Sequence, residues 1–249
     1  LLEKMKGIVI KTQDYSESHK IVTIYSNKLG KISAIARGAK KPKSRMAAVT
    51  QPFILGEFFI YINSGLSTIQ QGDVVDSLRF IREDIIKTAY AAYIVELTDK
   101  LVDSHLPDNY LFDQLYQTLS WIAEHDDTDA DIPMMMYELK LFAKGGFAPT
   151  VSNCVSCGRR DSPLYFSISE GGLLCSRCKH IDSEAIMLPD NIAKLLHIFV
   201  SVGLERVGKI SVKPANKNLL RQLIDAYYDQ YGGYYLKSKR FLNQLDKLK

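Results

Sequence analysis

Cys154-Val155-Ser156-Cys157 and Cys175-Ser176-Arg177-Cys178 contain every cysteine of the 249-residue chain. Two C-x-x-C pairs separated by seventeen residues match a four-thiolate zinc site, in which each pair forms a tight turn offering two sulfurs to one side of a tetrahedron. The residues between them suit a hairpin. Leu164-Tyr165-Phe166-Ser167-Ile168 is aromatic and branched, Glu170-Gly171-Gly172 turns the chain, and Leu173-Leu174 leads back to the second pair. A zinc ribbon over residues 151–179 is therefore expected, with Zn²⁺ held by Cys154, Cys157, Cys175 and Cys178. Four thiolates leave no open coordination position, so the metal should be structural.

Two other uses of these residues are a pair of disulfides and a catalytic zinc with His180 replacing one sulfur. Disulfides need an oxidising compartment, whereas Leu1-Leu2-Glu3-Lys4-Met5-Lys6 has charges where a signal peptide would have its apolar core. A zinc nucleobase deaminase needs H-x-E upstream of the cysteines. His19, His105 and His125 are followed two residues later by Ile21, Pro107 and Asp127 instead.

Hydrophobic residues make up 46% of the chain and charged residues 24%, the balance of a globular protein with a sizeable core. No run of eighteen apolar residues occurs, so no membrane span is expected, and the expected location is the cytoplasm. The net charge of +4 is unevenly placed. Residues 1–80 carry twelve Lys and Arg against six Asp and Glu, and the remainder twenty against twenty-two. An anionic partner for the first segment alone follows.

That segment has the two-residue period of strands at 7–12, 20–25, 31–37, 52–61 and 66–77, with turn residues between them. Five strands with the longest excursion between the third and fourth predict an OB-type β-barrel. From Lys28 to Arg45 there are seven basic residues (Lys28, Lys31, Arg37, Lys40, Lys41, Lys43 and Arg45) and no acidic one. Gly38 to Arg45 is expected to be a mobile loop standing off the barrel, able to follow a phosphate backbone. Tyr15, Tyr25, Phe53, Phe58, Phe59 and Tyr61 could either stack on bases or fill the barrel.

Beyond Arg79–Asp84 the period lengthens to that of helices, predicted over 81–102, 109–123 and 132–144, the last rich in Met134, Met135 and Met136. The cluster Glu124, Asp126, Asp127, Asp129 and Asp131 admits Mg²⁺-dependent phosphodiester hydrolysis, but it lacks Gly-centred ligand spacing and reads first as a solvated turn. Asp190 is placed to cap a further helix, and two more are predicted over 216–230 and 236–248. The fold class expected is α+β. An OB barrel (1–80) precedes a helical domain (81–150 and 180–249) with the four-cysteine zinc ribbon inserted in it. No phosphate-binding, dinucleotide, metalloprotease or nucleophile-elbow motif occurs, which argues against an enzyme.

Laid out in this way, the chain resembles the RecO family of bacterial recombination and repair proteins. The resemblance covers essentially the whole length. It is carried by Gly7-Ile8-Val9-Ile10, by Lys28-Leu29-Gly30-Lys31 through Ala36-Arg37-Gly38-Ala39-Lys40-Lys41, by Gln51-Pro52-Phe53 and Ile81-Arg82-Glu83-Asp84-Ile85, by the four cysteines, and by Leu236-Lys237-Ser238-Lys239-Arg240-Phe241-Leu242. It implies an amino-terminal OB barrel, a helical domain and a zinc ribbon. It further implies a non-enzymatic mediator that binds single- and double-stranded DNA, anneals complementary strands, works with RecR and helps place RecA on strands coated by single-strand binding protein (SSB). DNA contact is then expected at Lys28, Lys31, Arg37, Lys40, Lys41, Lys43 and Arg45, with Arg79 as an outlying member. Lys237, Lys239 and Arg240 are candidates for holding the acidic SSB tail. An RNA-binding or ribosome-associated factor would use the same barrel and ribbon.

Overall fold

The computed structural model describes residues 1–125 and 130–246. It divides into two compact units, one formed by Leu1–Ala130 with Leu236–Lys249 and the other by Asp131–Tyr235. The first holds a closed five-stranded barrel of β1 (Leu2–Tyr15), β2 (His19–Ser26), β3 (Gly30–Ala36), β4 (Leu55–Tyr61) and β5 (Ser67–Asp76), in the order β1-β2-β3-β5-β4. Every pairing is antiparallel except β3 with β5.

The first strand is what lets the sheet close. Its amino-terminal half pairs with β4 from Leu2↔Tyr61 to Ile8↔Leu55, and it pairs with β2 from Gly7↔Ser26 to Tyr15↔His19. The register against β2 shifts between Val9 and Lys11, a bulge that bends the strand between its two partners. Met5 and Val9 enter the barrel core with Val22, Ile24, Ile32, Phe58 and Ile60. Ile8 and Ile10 are buried as well, outside that cluster, on a strand against which helix α3 (Ile85–Leu101) packs. Burial on both sides explains the unbroken apolar run Ile8-Val9-Ile10.

The expectation of a loop standing off the barrel is overturned. Lys40 N–H donates to Ser18 O (3.1 Å) and Gly38 N–H to His19 Nδ1 (3.0 Å), and Ala39 is buried. The chain then forms a short helix, α1 (Arg45–Val49), whose Val49 plugs the barrel core. A loop bearing an apolar residue every few positions gains more by burying them than by remaining solvated.

One continuous helix over 81–102 is also corrected. Asp84 is extended and separates α2 (Arg79–Glu83) from α3. Its carboxylate accepts from Ile86 N–H (2.7 Å) and Lys87 N–H (3.0 Å), an N-cap that starts the second helix afresh. Helix α4 (Asn109–Glu124) is capped in the same way by Asp108. It lies against the barrel through Phe112, 6.2 Å from the Tyr25 ring, and through Tyr116 Oη, which donates to Asp76 (2.8 Å). The last helix, α8 (Lys237–Asp246), is held by α3, where Glu96 accepts from Ser238 N–H (2.8 Å) and from the Ser238 hydroxyl. Helices α2, α3, α4 and α8 therefore belong to the same compact unit as the barrel.

In the second unit, α5 (Asp131–Lys144) buries all three consecutive methionines. Glu138 on the same helix is fully buried and accepts from Arg221 (2.6 Å) on α7 (Pro214–Tyr231), whose other terminal nitrogen reaches Asp225 (2.7 Å). The Lys140 ammonium donates to Phe199 O and Val202 O, satisfying carbonyls at the end of α6 (Asp190–Ser201). Its burial pushes the pKa down to about 8, against the pull of Glu205. Asp190 is the first residue of α6 and makes no capping bond; Pro189 occupies the cap position. The ribbon strands β6 (Leu164–Ser167) and β7 (Gly172–Cys175) are joined by an unpredicted β8 (Ile186–Leu188), in the order β7-β6-β8. They are fixed to α7 by the Phe166–Tyr227 edge contact and by Tyr231 Oη, which donates to Ile168 O (2.7 Å) and Ser169 O (2.9 Å).

Gly30 marks where the β2–β3 turn meets the segment after α3. It has φ +66°, and a Cβ there would lie 2.5 Å from Leu106 O; the neighbouring His105 N–H donates to Lys31 O. Gly30→Ala should destabilise the protein by about 1–3 kcal/mol through strain and clash. Urea denaturation would test this, and an unchanged midpoint would contradict it.

Candidate nucleic-acid interface and metal centre

The basic run that is continuous in sequence is split by the fold. Lys28 precedes β3 and Lys31 is its second residue, whereas Arg37 to Arg45 follow its far end, about 20 Å away at strand rise. Lys28 sits in the β2–β3 turn and is paired with Glu3. The Lys31 side chain is only 15% exposed, 3.5 Å from Asp99 Oδ1, and donates to the Asp99 carbonyl. Its charge ties the hairpin to α3, so Lys31 is not a free cation. Lys40 is exposed but pairs with Asp14 (3.0 Å).

Arg37, Lys41, Lys43 and Arg45 remain. All four are exposed, and among the described residues none has a carboxylate within ion-pair distance. They occupy the turn after β3 and the start of α1, with Lys43 at φ +59°. A concentration of uncompensated cations on a turn fastened at Gly38 and Lys40 is suited to polyanions. Arg79 is exposed at the start of α2, with its guanidinium carbon 4.9 Å from the Phe80 ring centroid.

The aromatics divide in the same way. Tyr25, Phe53 and Phe58 are buried, which removes them as stacking platforms. Burial of Tyr25, with the Asp108 carboxylate nearby, pushes its phenol well above the usual range. Tyr15 and Tyr61 are exposed, and Phe59 is half-buried with Lys4 Nζ 5.5 Å from its ring. Phe58 and Phe59 are neighbours on β4 and point to opposite faces, so one fills the barrel core and the other is half-buried. Of the acidic cluster, Asp126, Asp127 and Asp129 lie outside the described residues, and Asp131 opens α5, paired with Lys217 at 3.4 Å.

The four cysteines converge. All are free, and their sulfurs lie within 4.8 Å of one another, Cys157 and Cys175 at 3.6 Å. Bonds of about 2.3 Å to a tetrahedral ion require sulfur separations of about 3.8 Å. The arrangement fits a metal ion and excludes the two disulfides. Each knuckle is held by its own backbone. Gly158, at φ +73°, donates to Cys154 O (2.9 Å), Cys154 N–H donates to Arg159 O (2.7 Å), and Cys178 N–H donates to Cys175 O (3.0 Å). Among the described residues no other group of three or more His, Cys, Asp or Glu side chains is placed to hold a metal. His180 is outside the set, with Nδ1 2.8 Å from Arg177 O.

Burial opposes ionisation of Cys154, yet amide donors from Cys157, Cys175 and Ser156 bring its pKa down to about 6. Cys178 is drawn toward the thiolate by Ser156, but burial and the other sulfurs push it up to about 12. Four sulfurs so close together cannot all ionise unless a cation sits between them.

Known proteins are similar to this chain along its length. Residues 1–78 match the family described as recombination protein O N terminal, and residues 82–240 match recombination protein O C terminal. The DNA repair protein RecO of Oceanobacillus iheyensis is 56% identical over 246 residues, covering 99% of this chain and 95% of that protein. RecO of Bacillus mycoides is 46% identical over 247 residues, 99% of each chain.

The two kinds of cation should separate in thermal melts. Lys31→Met should lower stability by about 2 kcal/mol, the worth of a part-buried charged hydrogen bond. Arg45→Ala should stay within about 0.5 kcal/mol. Equal effects would contradict the division.

Proposed function

The chain belongs to the RecO family, and we propose that it acts on DNA through the barrel's free cations, as a mediator of recombinational repair in the RecF pathway. It is not an enzyme. It binds single- and double-stranded DNA, anneals complementary strands in the cytoplasm where the chromosome lies, and works with RecR to place RecA on SSB-coated strands. Arg37, Lys41, Lys43 and Arg45, exposed and unneutralised on one turn, are the observation that supports this reading most directly. Two strands held by such cations lose part of their mutual repulsion and can search for register, which requires charge and stacking but no reacting group.

The metal is Zn²⁺ in a structural role. Four thiolates complete its coordination and leave no position for a substrate. The SSB tail docks in a groove of about 570 Å³ in the first unit. Ile10, Phe53, Ala92 and Val95 form its apolar lining, and Lys11, Lys100 and Lys237 contribute cations. Asp99 in the same groove is paired with Lys11 and Lys31, and Glu96 is occupied by the start of α8. Arg240 follows on α8 as a further, exposed candidate, whereas the Lys239 ammonium is buried.

Anisotropy of a labelled single-stranded oligonucleotide across a salt series tests the barrel. Each neutralised phosphate contributes about 0.7 to the slope of log K against log[salt], so alanine at Arg37, Lys41, Lys43 and Arg45 should remove about 3. An unchanged slope would place DNA contact elsewhere. For the metal, a strong chelator should release one zinc per chain and abolish amide-exchange protection over Leu164–Ser167 and Gly172–Cys175 while the barrel strands stay protected. Retained protection in the ribbon would mean that it folds without metal.

A further inference from the structure

We propose that the ribbon carries a second nucleic-acid contact, with Arg159, Arg160, Arg177 and Lys179 on its metal knuckles forming a cationic patch for the phosphodiester backbone of a DNA strand. This inference relies on the reading of the protein as one that handles DNA, but it stands on residues outside the barrel.

The metal site itself assembles the patch. Arg159 and Arg160 follow the first knuckle, and Arg177 and Lys179 flank the last ligand of the second, so each pair is distant in sequence from the other. Convergence of the four sulfurs within 4.8 Å draws the two knuckles together. Their proximity is recorded directly, because Arg177 Nε lies 3.9 Å from Asp161, the residue after Arg160. Asp161 is the one carboxylate in 154–169; beyond the second knuckle Asp182, held by Ser167, lies near enough for the Lys179 charge to help lower its pKa, so Arg159, Arg160 and Arg177 are the cations that outnumber the acids at the two turns.

The patch is held by its own backbone. Arg159 is fixed through its own carbonyl, which accepts from Cys154 N–H, and Arg177 through its carbonyl, which lies 2.8 Å from His180 Nδ1. Lys179 Nζ lies 5.9 Å from the centroid of the half-buried Tyr165 ring, placing an aromatic surface beside the charge.

A dication with four thiolates carries a net charge of −2, and nearby cations are one way to offset it. Arginines serving that purpose alone should turn inward. Arg159 and Arg160 are exposed, and the Arg177 side chain is 70% exposed beside an Asp161 that is itself 47% exposed. Guanidinium groups in that position remain available for bidentate contact with phosphate.

The test uses the zinc-loaded full-length chain with Arg159, Arg160 and Arg177 changed to alanine, alongside the barrel variant and the combination of both. Zinc per chain is measured together with the salt dependence of single-stranded DNA binding. The ribbon variant should keep one zinc, lose about 2 from the slope and bind at least tenfold more weakly at 0.1 M salt. The combined variant should lose more than either alone. Weakened zinc retention with unchanged DNA binding would overturn the proposal and leave the arginines as neutralisers of the thiolates. Loss confined to the ribbon variant would support the proposal while refuting the barrel reading, and loss in the barrel variant alone would do the reverse. If the alanines release zinc, Arg160→Glu, three residues from the nearest ligand, decides the matter: weaker binding supports the contact and unchanged binding overturns it.

Discussion

The barrel closes because β1 is long enough to pair with β4 along its first half and with β2 along its second, and a bend in the strand carries it from one neighbour to the other. The register shift after Val9 turns the strand from β4 toward β2 without breaking either ladder. The rest of the first unit depends on that geometry. The parallel pairing of β3 with β5 completes the circuit, Val49 fills the barrel from α1, and the side of β1 that meets α3 becomes a second buried surface. The turn carrying Arg37 to Arg45 is held in place because its apolar residues have a barrel to enter.

Charge behaves differently in the chain and in the fold. Seven cations from one stretch of sequence become three kinds of group in space: Lys31 is a strut, Lys28 and Lys40 are paired, and four others are free. Sequence counts charges without their partners, and the partners Glu3, Asp14 and Asp99 come from other elements. Conversely, Arg159 and Arg160 are distant in sequence from Arg177, and a cysteine cluster whose spacing is easily read brings their two turns together.

Much of the architecture was legible because it is local. The strand periods, the C-x-x-C pairs and the helices over 109–123 and 132–144 follow from patterns a few residues long. The break at Asp84 was also local, yet it was hidden because an apolar stripe continues across it; only the capping geometry reveals it. The three-residue β8 is too short to show any period. The packing of α2 to α4 with the barrel was not legible either, since it depends on pairs such as Tyr25–Phe112 and Tyr116–Asp76 whose members are far apart in the chain. The candidate site followed the same rule: the convergence of the four cysteines was readable from spacing, and the availability of each lysine was not.

The return of α8 to the first unit has a consequence for synthesis. The chain leaves that unit at Ala130, builds the whole of Asp131–Tyr235, and only then supplies the helix whose first turn Glu96 holds. A nascent chain therefore exposes the α3 surface that awaits α8 while more than a hundred further residues are being made. At ribosomal speeds of about 5–20 residues per second this interval lasts several seconds, long compared with the folding of a small domain. The barrel unit is thus the first to begin folding and among the last to be completed.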